Sequence, residues 1–313
     1  MSDGESAQPQ VIVIGAACVD TKGRTRTRLV PGTSNPGEIR ITVGGVGRNI
    51  AESLARLGVP VALITAVGND DWGRDILRCT RRGGVDVHHV RVCEGERSAA
   101  YLAVLDANGE RIASVDSTDI LKHIDGRYLF DRRQLFARAR IVVIDGNLSE
   151  QALSSLFRLA ERRNLPIALD PTSAVLAERL RRHLPRFHLV TPDVAEAEVL
   201  TGMKISDELD AIRAAQALVA AGVKVAIVTM AEQGCCYATS ETSGRVPAIR
   251  SEIVDPIGAG DALTAAVVFG LLNNCPIDET VRLGVAAATL TLRCQGAVCP
   301  HLSLQALYDA MSI

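Results

Sequence analysis

Asp255-Pro256-Ile257-Gly258-Ala259-Gly260-Asp261 runs straight into the apolar stretch Ala262 to Leu272, and this junction organises the reading of the whole chain. Small residues ahead of a long apolar run mark the start of a buried helix. The unpaired amides there have the positive end of the helix dipole behind them, and glycine lets an anion approach the backbone closely. Asp261 is the odd member. A carboxylate beside an anion hole repels phosphate at rest, so it needs a task of its own, such as taking the proton from a hydroxyl as that oxygen attacks phosphorus. On residues alone a plainer alternative stands beside this one: a glycine turn with Asp261 as an ordinary N-cap.

With 313 residues and 47% hydrophobic content, the chain is ample for a large buried core. Lys+Arg at 34 against Asp+Glu at 36 leaves a formal charge of −2. That balance argues against a nucleic-acid partner and for a small-molecule one. Lysine occurs only at Lys22, Lys122, Lys204 and Lys224, none in a G-x-x-x-x-G-K-[ST] phosphate loop. Eight cysteines without a C-x-x-C pair read as reduced thiols, Cys235 and Cys236 as strand residues, which fits the cytoplasm. Residues 1–10 are polar, lack the marks of a presequence and read as a flexible tail. No apolar run is long enough to predict a membrane span.

Outward from the junction, strand and helix signals alternate. Val11 to Gly15 reads as a buried strand with Asp20 in the loop beyond it. Ile39, Ile41 and Val43 alternate as in a strand, and Arg97 to Val104 with Arg111 to Val115 predict a hairpin around Asp106-Ala107-Asn108-Gly109. Together these predict a small β-sheet lid from segments at about 21–43 and 97–116. Gly44-Gly45-Val46-Gly47-Arg48-Asn49 leads into a helix with Ile50, Leu54 and Leu57 on one face. Val61 to Val67, Val87 to Val92, Ile141 to Asp145, Ile167 to Asp170, His188 to Thr191 and Val225 to Thr229 read as strands. Glu150 to Arg163 and Asp207 to Ala221 read as helices. The alternation predicts an α/β fold, a doubly wound, mostly parallel sheet flanked by helices, in one domain over residues 11–313. Ligands in such sheets gather past the carboxyl ends of the strands. Asp20, Asn147, Thr229 and the Gly258 turn all fall there.

Two of these stretches carry a resemblance. D-x-x-G-A-G-D at 255–261 resembles the C-terminal signature of the ribokinase-type (PfkB) sugar and nucleoside kinases, and Gly44 to Asn49 resembles their N-terminal G-G-x-G-x-N signature. The resemblance implies a ribokinase-like fold and phosphoryl transfer from ATP, with Asp261 as base and Gly258, Ala259 and Gly260 as anion hole. It also implies a sugar held by Asp20, Gly44, Gly45 and Asn49. Asp193-Val194-Ala195-Glu196 resembles the family's N-x-x-E motif, in which the Glu, here Glu196, organises Mg²⁺ through water; Asp193 stands where Asn is usual. Val228 to Gly234 resembles V-T-x-G-x-x-G, which places the nucleotide along Asp193, Thr229, Ala231 and Gly234, with Ala231 in a glycine position. Gly284 sits where some ribokinases have an adenine-contacting Asn. Asp255 and Ile257, with Thr291, Cys294 and Gly296, resemble loops that hold a monovalent cation, implying activation by K⁺. The lid implies a homodimer formed through its sheet.

Within that family, Thr33-Ser34-Asn35-Pro36-Gly37, Gly44 to Glu52 and Ile144 to Ser149 are similar to the pseudouridine kinases. The likeness implies that Thr33, Ser34, Asn35 and Asn147 meet the nucleoside, whose 5′-hydroxyl is phosphorylated. The same residue types are common turn formers. A ribokinase or other nucleoside kinase shares the signatures, and a catalytically silent nucleoside sensor would accommodate the departures at Asp193 and Ala231. A dinucleotide-binding dehydrogenase ranks last, because Gly15-Ala16-Ala17-Cys18-Val19-Asp20 lacks G-x-G-x-x-G after the first strand.

Overall fold

The computed structural model describes residues 9–312, and most of the tail expected over residues 1–10 lies outside them. Val11-Ile12-Val13-Ile14 has no polar alternation, which suits a strand covered on both faces, and it forms the wholly buried β1 (Val11–Ile14). The chain then makes a long hairpin, β2 (Cys18–Thr25) and β3 (Gly37–Gly44), enters α1 (Val46–Arg56), and returns through β4 (Val61–Ile64) to lie beside β1. β5 (Ala66–Gly68) pairs with β6 (Arg91–Cys93) around α2 (Asp71–Arg82), and β7 (Ala99–Leu105) with β8 (Arg111–Ser117) form a second hairpin. Short helices α3 (Gly126–Asp131) and α4 (Arg133–Phe136) lead into a regular alternation: β9 (Ile141–Asp145), α5 (Glu150–Glu161), β10 (Ile167–Asp170), α6 (Ala174–Leu180), β11 (Leu189–Val190), α7 (Val194–Thr201), α8 (Glu208–Ala220) and β12 (Val225–Thr229). β13 (Cys235–Thr239) and β14 (Ser243–Val246) run back antiparallel, and α9 (Ala259–Leu272), α10 (Ile277–Leu292) and α11 (Leu304–Met311) follow.

The main sheet has the order β14-β13-β12-β11-β10-β9-β1-β4, parallel from β12 to β4. Successive residues of a strand face opposite sides. Ile12 and Ile14 therefore join one core layer and Val11 and Val13 the other, where α1 and α9 pack. The chain leaves β1 toward β4 and later fills the other side from β9 onward. The crevice at this switch, where a ligand site is expected in such sheets, opens past Ile14 and Asp145. The α/β class expected from the sequence is the one observed.

A second sheet, β3-β2-β7-β8, stands apart from the first. Its register aligns Ile41, Thr21, Leu102 and Val115 in one row and Thr42, Asp20, Tyr101 and Asp116 in the next. Alternate rows face opposite sides. One face is thus apolar and open to solvent at Ile39, Ile41, Leu102 and Val115, while the other carries Asp20 and Lys22.

Three local expectations are corrected. Val61 to Val67 is not one strand: it breaks at Thr65 and supplies β4 and β5 to different sheets. Val87 to Val92 is mostly a turn, because Asp86 Oδ1 accepts the His88 amide at 2.9 Å, and strand pairing begins only at Arg91. The cysteines are not all thiols, since Cys294 and Cys299, with Cα atoms 5.4 Å apart, form a disulfide across the turn at Gly296.

Candidate active site

Helix α9 starts at Gly258 in the left-handed region (φ 83°), with no side chain capping its first turn. Only glycine takes this conformation cheaply, and a Cβ at Gly258 would run into the Ala297 carbonyl. Gly260 faces open space. Asp261 is therefore not the N-cap that the plainer reading allowed. It is the third helical residue, its side chain is buried, and its Oδ2 accepts a 2.8 Å hydrogen bond from Asn49 Nδ2.

Asn49 brings the N-terminal motif to Asp261. Arg48 Nη1 donates to Asn49 Oδ1 at 3.1 Å and to the Val43 carbonyl at 3.2 Å. The amide oxygen is thus engaged and the amide nitrogen is turned toward Asp261. Arg48 is in turn ion-paired with Glu52 inside the protein, and Arg56 holds the other Glu52 oxygen at 2.6 Å. Both Arg48 and Glu52 lie in the Gly44 to Glu52 stretch quoted from the sequence, but neither was given a role there. Their spacing with Arg56, four and eight residues along one helix face, was the available signal.

Asp20 is buried beside Gly44, where a Cβ would overlap its carboxylate, and Cys18 Sγ donates to its Oδ1 at 3.1 Å. Gly45 starts α1 at φ 98°, and side-chain bulk there would meet the Ala16–Ala17 backbone. The amides of Ala16, Gly47 and Asn147 all donate to the fully buried Asp145, which ties β1, α1 and β9 together across the switch. Asn147 is half-buried beside it.

Buried acids crowd this crevice. Burial first, and then the neighbouring Asp170, hold the Asp261 carboxyl well above the usual range, against the opposing Asn49 hydrogen bond. Asp170 is pushed up to about 7, mainly by burial and despite its bond from the Thr172 amide. Glu196 is pushed up to about 8 by burial, Asp170 and Asp193. Asp20 is also raised, chiefly by burial. A site that favours protonated acids when unliganded is one that positive charge would stabilise. Asp170 was seen in the sequence only as the last residue of a strand.

On the far side of the crevice, α7 begins with a capping box. Asp193 Oδ1 accepts the Glu196 amide at 2.8 Å, and Glu196 Oε2 accepts the Asp193 amide at 2.9 Å. The Thr229 amide donates to the Pro192 carbonyl at 2.9 Å, which sets the end of β12 beside this helix start. Ala231 is left-handed (φ 48°), a position costing a residue with a Cβ about 1–2 kcal/mol, and Gly234 (φ 93°) ends the turn. Asp193, Thr229, Ala231 and Gly234 thus line one strand-turn ledge.

The five residues expected around a monovalent cation also come together. The Ile257 and Gly296 amides donate to the Asp255 carboxylate at 3.1 and 3.4 Å, the Asp255 amide donates to the Leu292 carbonyl, and the Cys294 amide to that of Thr291. Thr291 Oγ1 is buried without a partner. Lys22 Nζ, reaching down from β2, pairs with both Asp255 oxygens at 3.0 and 3.2 Å.

Thr33, Ser34 and Asn35 are the exception. They lie in the turn joining β2 to β3, at the end of the hairpin away from Gly44, and the seven residue steps between correspond to roughly 23 Å. Asn35 is engaged locally, accepting from the Val30 amide at 2.8 Å and donating to its carbonyl at 2.9 Å.

A buried carboxylate in the first turn of a helix whose amides no side chain caps sets a proton acceptor beside open backbone donors, a pairing that suits phosphoryl transfer to a hydroxyl. The chain belongs to the pfkB family of carbohydrate kinases, whose profile matches residues 8–302. It is 34% identical to the pseudouridine kinase of Escherichia coli strain K12 over 94% of each chain, and 32% identical to the guanosine-inosine kinase of Exiguobacterium acetylicum over 89% of this chain and 93% of that one. Among solved structures, a carbohydrate kinase from Agrobacterium tumefaciens superposes with a TM-score of 0.82 at 26% identity, covering 97% of both chains. The protein is accordingly an ATP-dependent kinase of a sugar or nucleoside. Among the described residues no helix is long and apolar enough to cross a membrane.

Proposed function

We propose that this kinase phosphorylates the 5′-hydroxyl of pseudouridine, with Asp261 as the general base. The observation that carries the mechanism is the placement of Asp261: buried, in the first turn of a helix with a glycine N-cap and no capping side chain, and held by Asn49. The ribose lies against Asp20, Gly44, Gly45 and Asn49. Asn147 reads the base edge, with Thr33, Ser34 and Asn35 joining it by movement of the hairpin or from a second copy. Asp261 takes the hydroxyl proton as the oxygen attacks, and the amides of Gly258, Ala259 and Gly260 meet the charge that grows on the transferred phosphoryl group.

ATP lies along Asp193, Thr229, Ala231 and Gly234. Hard carboxylate oxygens whose ionised forms repel one another suit a divalent cation, so Glu196 would hold Mg²⁺ through water. Among the described residues no group of three or more His, Cys, Asp or Glu side chains is placed to hold a metal ion directly. When bound, Mg²⁺ supplies charge neutralisation on the phosphates. The second sheet acts as the lid of a single kinase domain over residues 11–313, and its open apolar face supports a homodimer formed there. The six unpaired cysteines among the described residues fit a cytoplasmic protein.

The substrate assignment rests on the T-S-N-P-G and G-G-V-G-R-N stretches and on the relative named pseudouridine kinase. The test is ADP formation by the purified protein with ATP and Mg²⁺, offering pseudouridine, uridine, ribose and adenosine separately. A kcat/KM for pseudouridine at least about tenfold above the others is expected. Preference for ribose or adenosine would overturn the substrate while leaving the kinase chemistry intact.

A further inference from the structure

Asp255 sits between the two loops that brace the start of α9. Its carboxylate takes the Ile257 amide from its own loop and the Gly296 amide from the loop after α10, while Gly258 packs against Ala297. The Val254 and Asp255 amides both reach the Leu292 carbonyl, at 2.8 and 3.3 Å. Any loosening of this junction would move the amides of the anion hole. A carboxylate with most of its side chain out of water at such a junction calls for a positive partner.

That partner is already in the chain. Lys22 lies two residues beyond Asp20 on the same face of β2, and its ammonium contacts both Asp255 oxygens, with only 11% and 22% of the two side chains exposed. With the two backbone amides, four donor contacts converge on this carboxylate. Of the residues expected around a soluble K⁺, the one that carries a charge is engaged. The residues therefore do not fit a site that depends on such an ion. An ammonium group carries the same single charge as K⁺ and is close to it in size. Tethered to a strand, it is present at an effective concentration that dissolved salt does not match.

We infer that Lys22 is the built-in monovalent cation of this kinase: it neutralises Asp255 and fixes the anion-hole loops, so that the enzyme works without K⁺. Lys22 is a positioning residue, acting on the reaction through Asp255 and the loops. The inference rests on the kinase reading above. Because Lys22 belongs to the small sheet, the loops are braced when that sheet is down over the site.

The experiment compares the full-length protein with K22M and with the double variant K22M/D255N. Each is assayed in tetramethylammonium chloride, KCl, NH₄Cl and LiCl at one ionic strength. Two readouts are taken: thermal unfolding without substrate, and ADP formation with the best nucleoside. The wild type is expected to change less than about twofold in kcat between salts, and little in Tm. K22M should lose about tenfold in kcat without K⁺, regain most of it in KCl or NH₄Cl but not LiCl, and gain Tm with the same selectivity. The double variant should lose that selectivity, because the charge to be neutralised is gone. A wild type stimulated fivefold or more by K⁺ would overturn the inference, as would K22M with no cation-selective recovery in either readout. If the wild type turns over no nucleoside in any salt, the proposed function fails, and the unfolding readout still decides the role of Lys22. Should K22M not fold in any of the salts, K22R decides: it keeps the charge but not the compact ammonium, and K⁺ or NH₄⁺ raising its Tm over LiCl supports the assignment, whereas an equal response to all salts overturns it.

Discussion

Helices α7 and α9 begin on opposite sides of one crevice, and each has an acid as its third residue, yet the two starts are finished in opposite ways. At α7, Glu196 folds back onto the Asp193 amide and Asp193 caps the Glu196 amide, so the helix satisfies its own first turn. At α9 the N-cap is Gly258, no side chain caps the turn, and Asp261 points across to Asn49. The same residue class at the same helical position closes its own helix start in one place, where it is also the proposed Mg²⁺ contact, and is a candidate base in the other. What separates them is the residue three positions earlier. An Asp offers an oxygen to the first turn, whereas a left-handed glycine offers none and leaves the amides open to an anion.

The sharpest way to break this contrast is to neutralise both acids. Asp261→Asn should lower kcat by about 10²–10⁴-fold with little change in KM, the range expected for loss of a general base. Glu196→Gln keeps an oxygen for the cap and should stay within about tenfold. Equal losses in steady-state assays would erase the distinction.

A second, smaller effect concerns pH. Glu196 is raised from 4.5 to about 8 and Asp170 from 3.8 to about 7, so the folded state binds these protons more tightly than the unfolded chain. Their contribution to stability is complete below about pH 4 and is lost as pH rises through 7 and 8. The Tm of the unliganded protein, followed by thermal unfolding, should therefore fall by several degrees between about pH 5 and 8, and Glu196→Gln should flatten the decline. A Tm that rises over this range would contradict the picture of acids held protonated.

The smallest effect sharpens the α7 side alone. Asp193→Asn keeps an equally good N-cap and removes one of the charges that raise Glu196. It should increase Tm at pH 8 by about 1–2 °C and leave Tm at pH 5 unchanged. A loss at both pH values would mean that the cap depends on the charge itself.

Much of this was legible in the chain because it is written in local chemistry. The glycines at Gly44, Gly45 and Gly258 announce backbone conformations or close approaches that other residues resist, and β-branched runs such as Val11 to Ile14 announce buried strands. Asp255 to Asp261 accordingly marked a helix start whose amides no side chain would cap. What was not legible lies between residues far apart. Asn49 meets Asp261 across 212 positions and Lys22 meets Asp255 across 233. The turn at Thr33 to Asn35 belongs by resemblance with the nucleoside, yet the hairpin register carries it to the opposite end of β2 and β3. By itself, then, the sequence determined the α/β class and the residue types at each strand end, because periodicity and backbone preference act over a few residues. Only the tertiary structure decided which acid serves its own helix, which faces the crevice, and which lysine supplies the charge. Those outcomes depend on burial and on partners that chain folding alone brings within hydrogen-bonding distance.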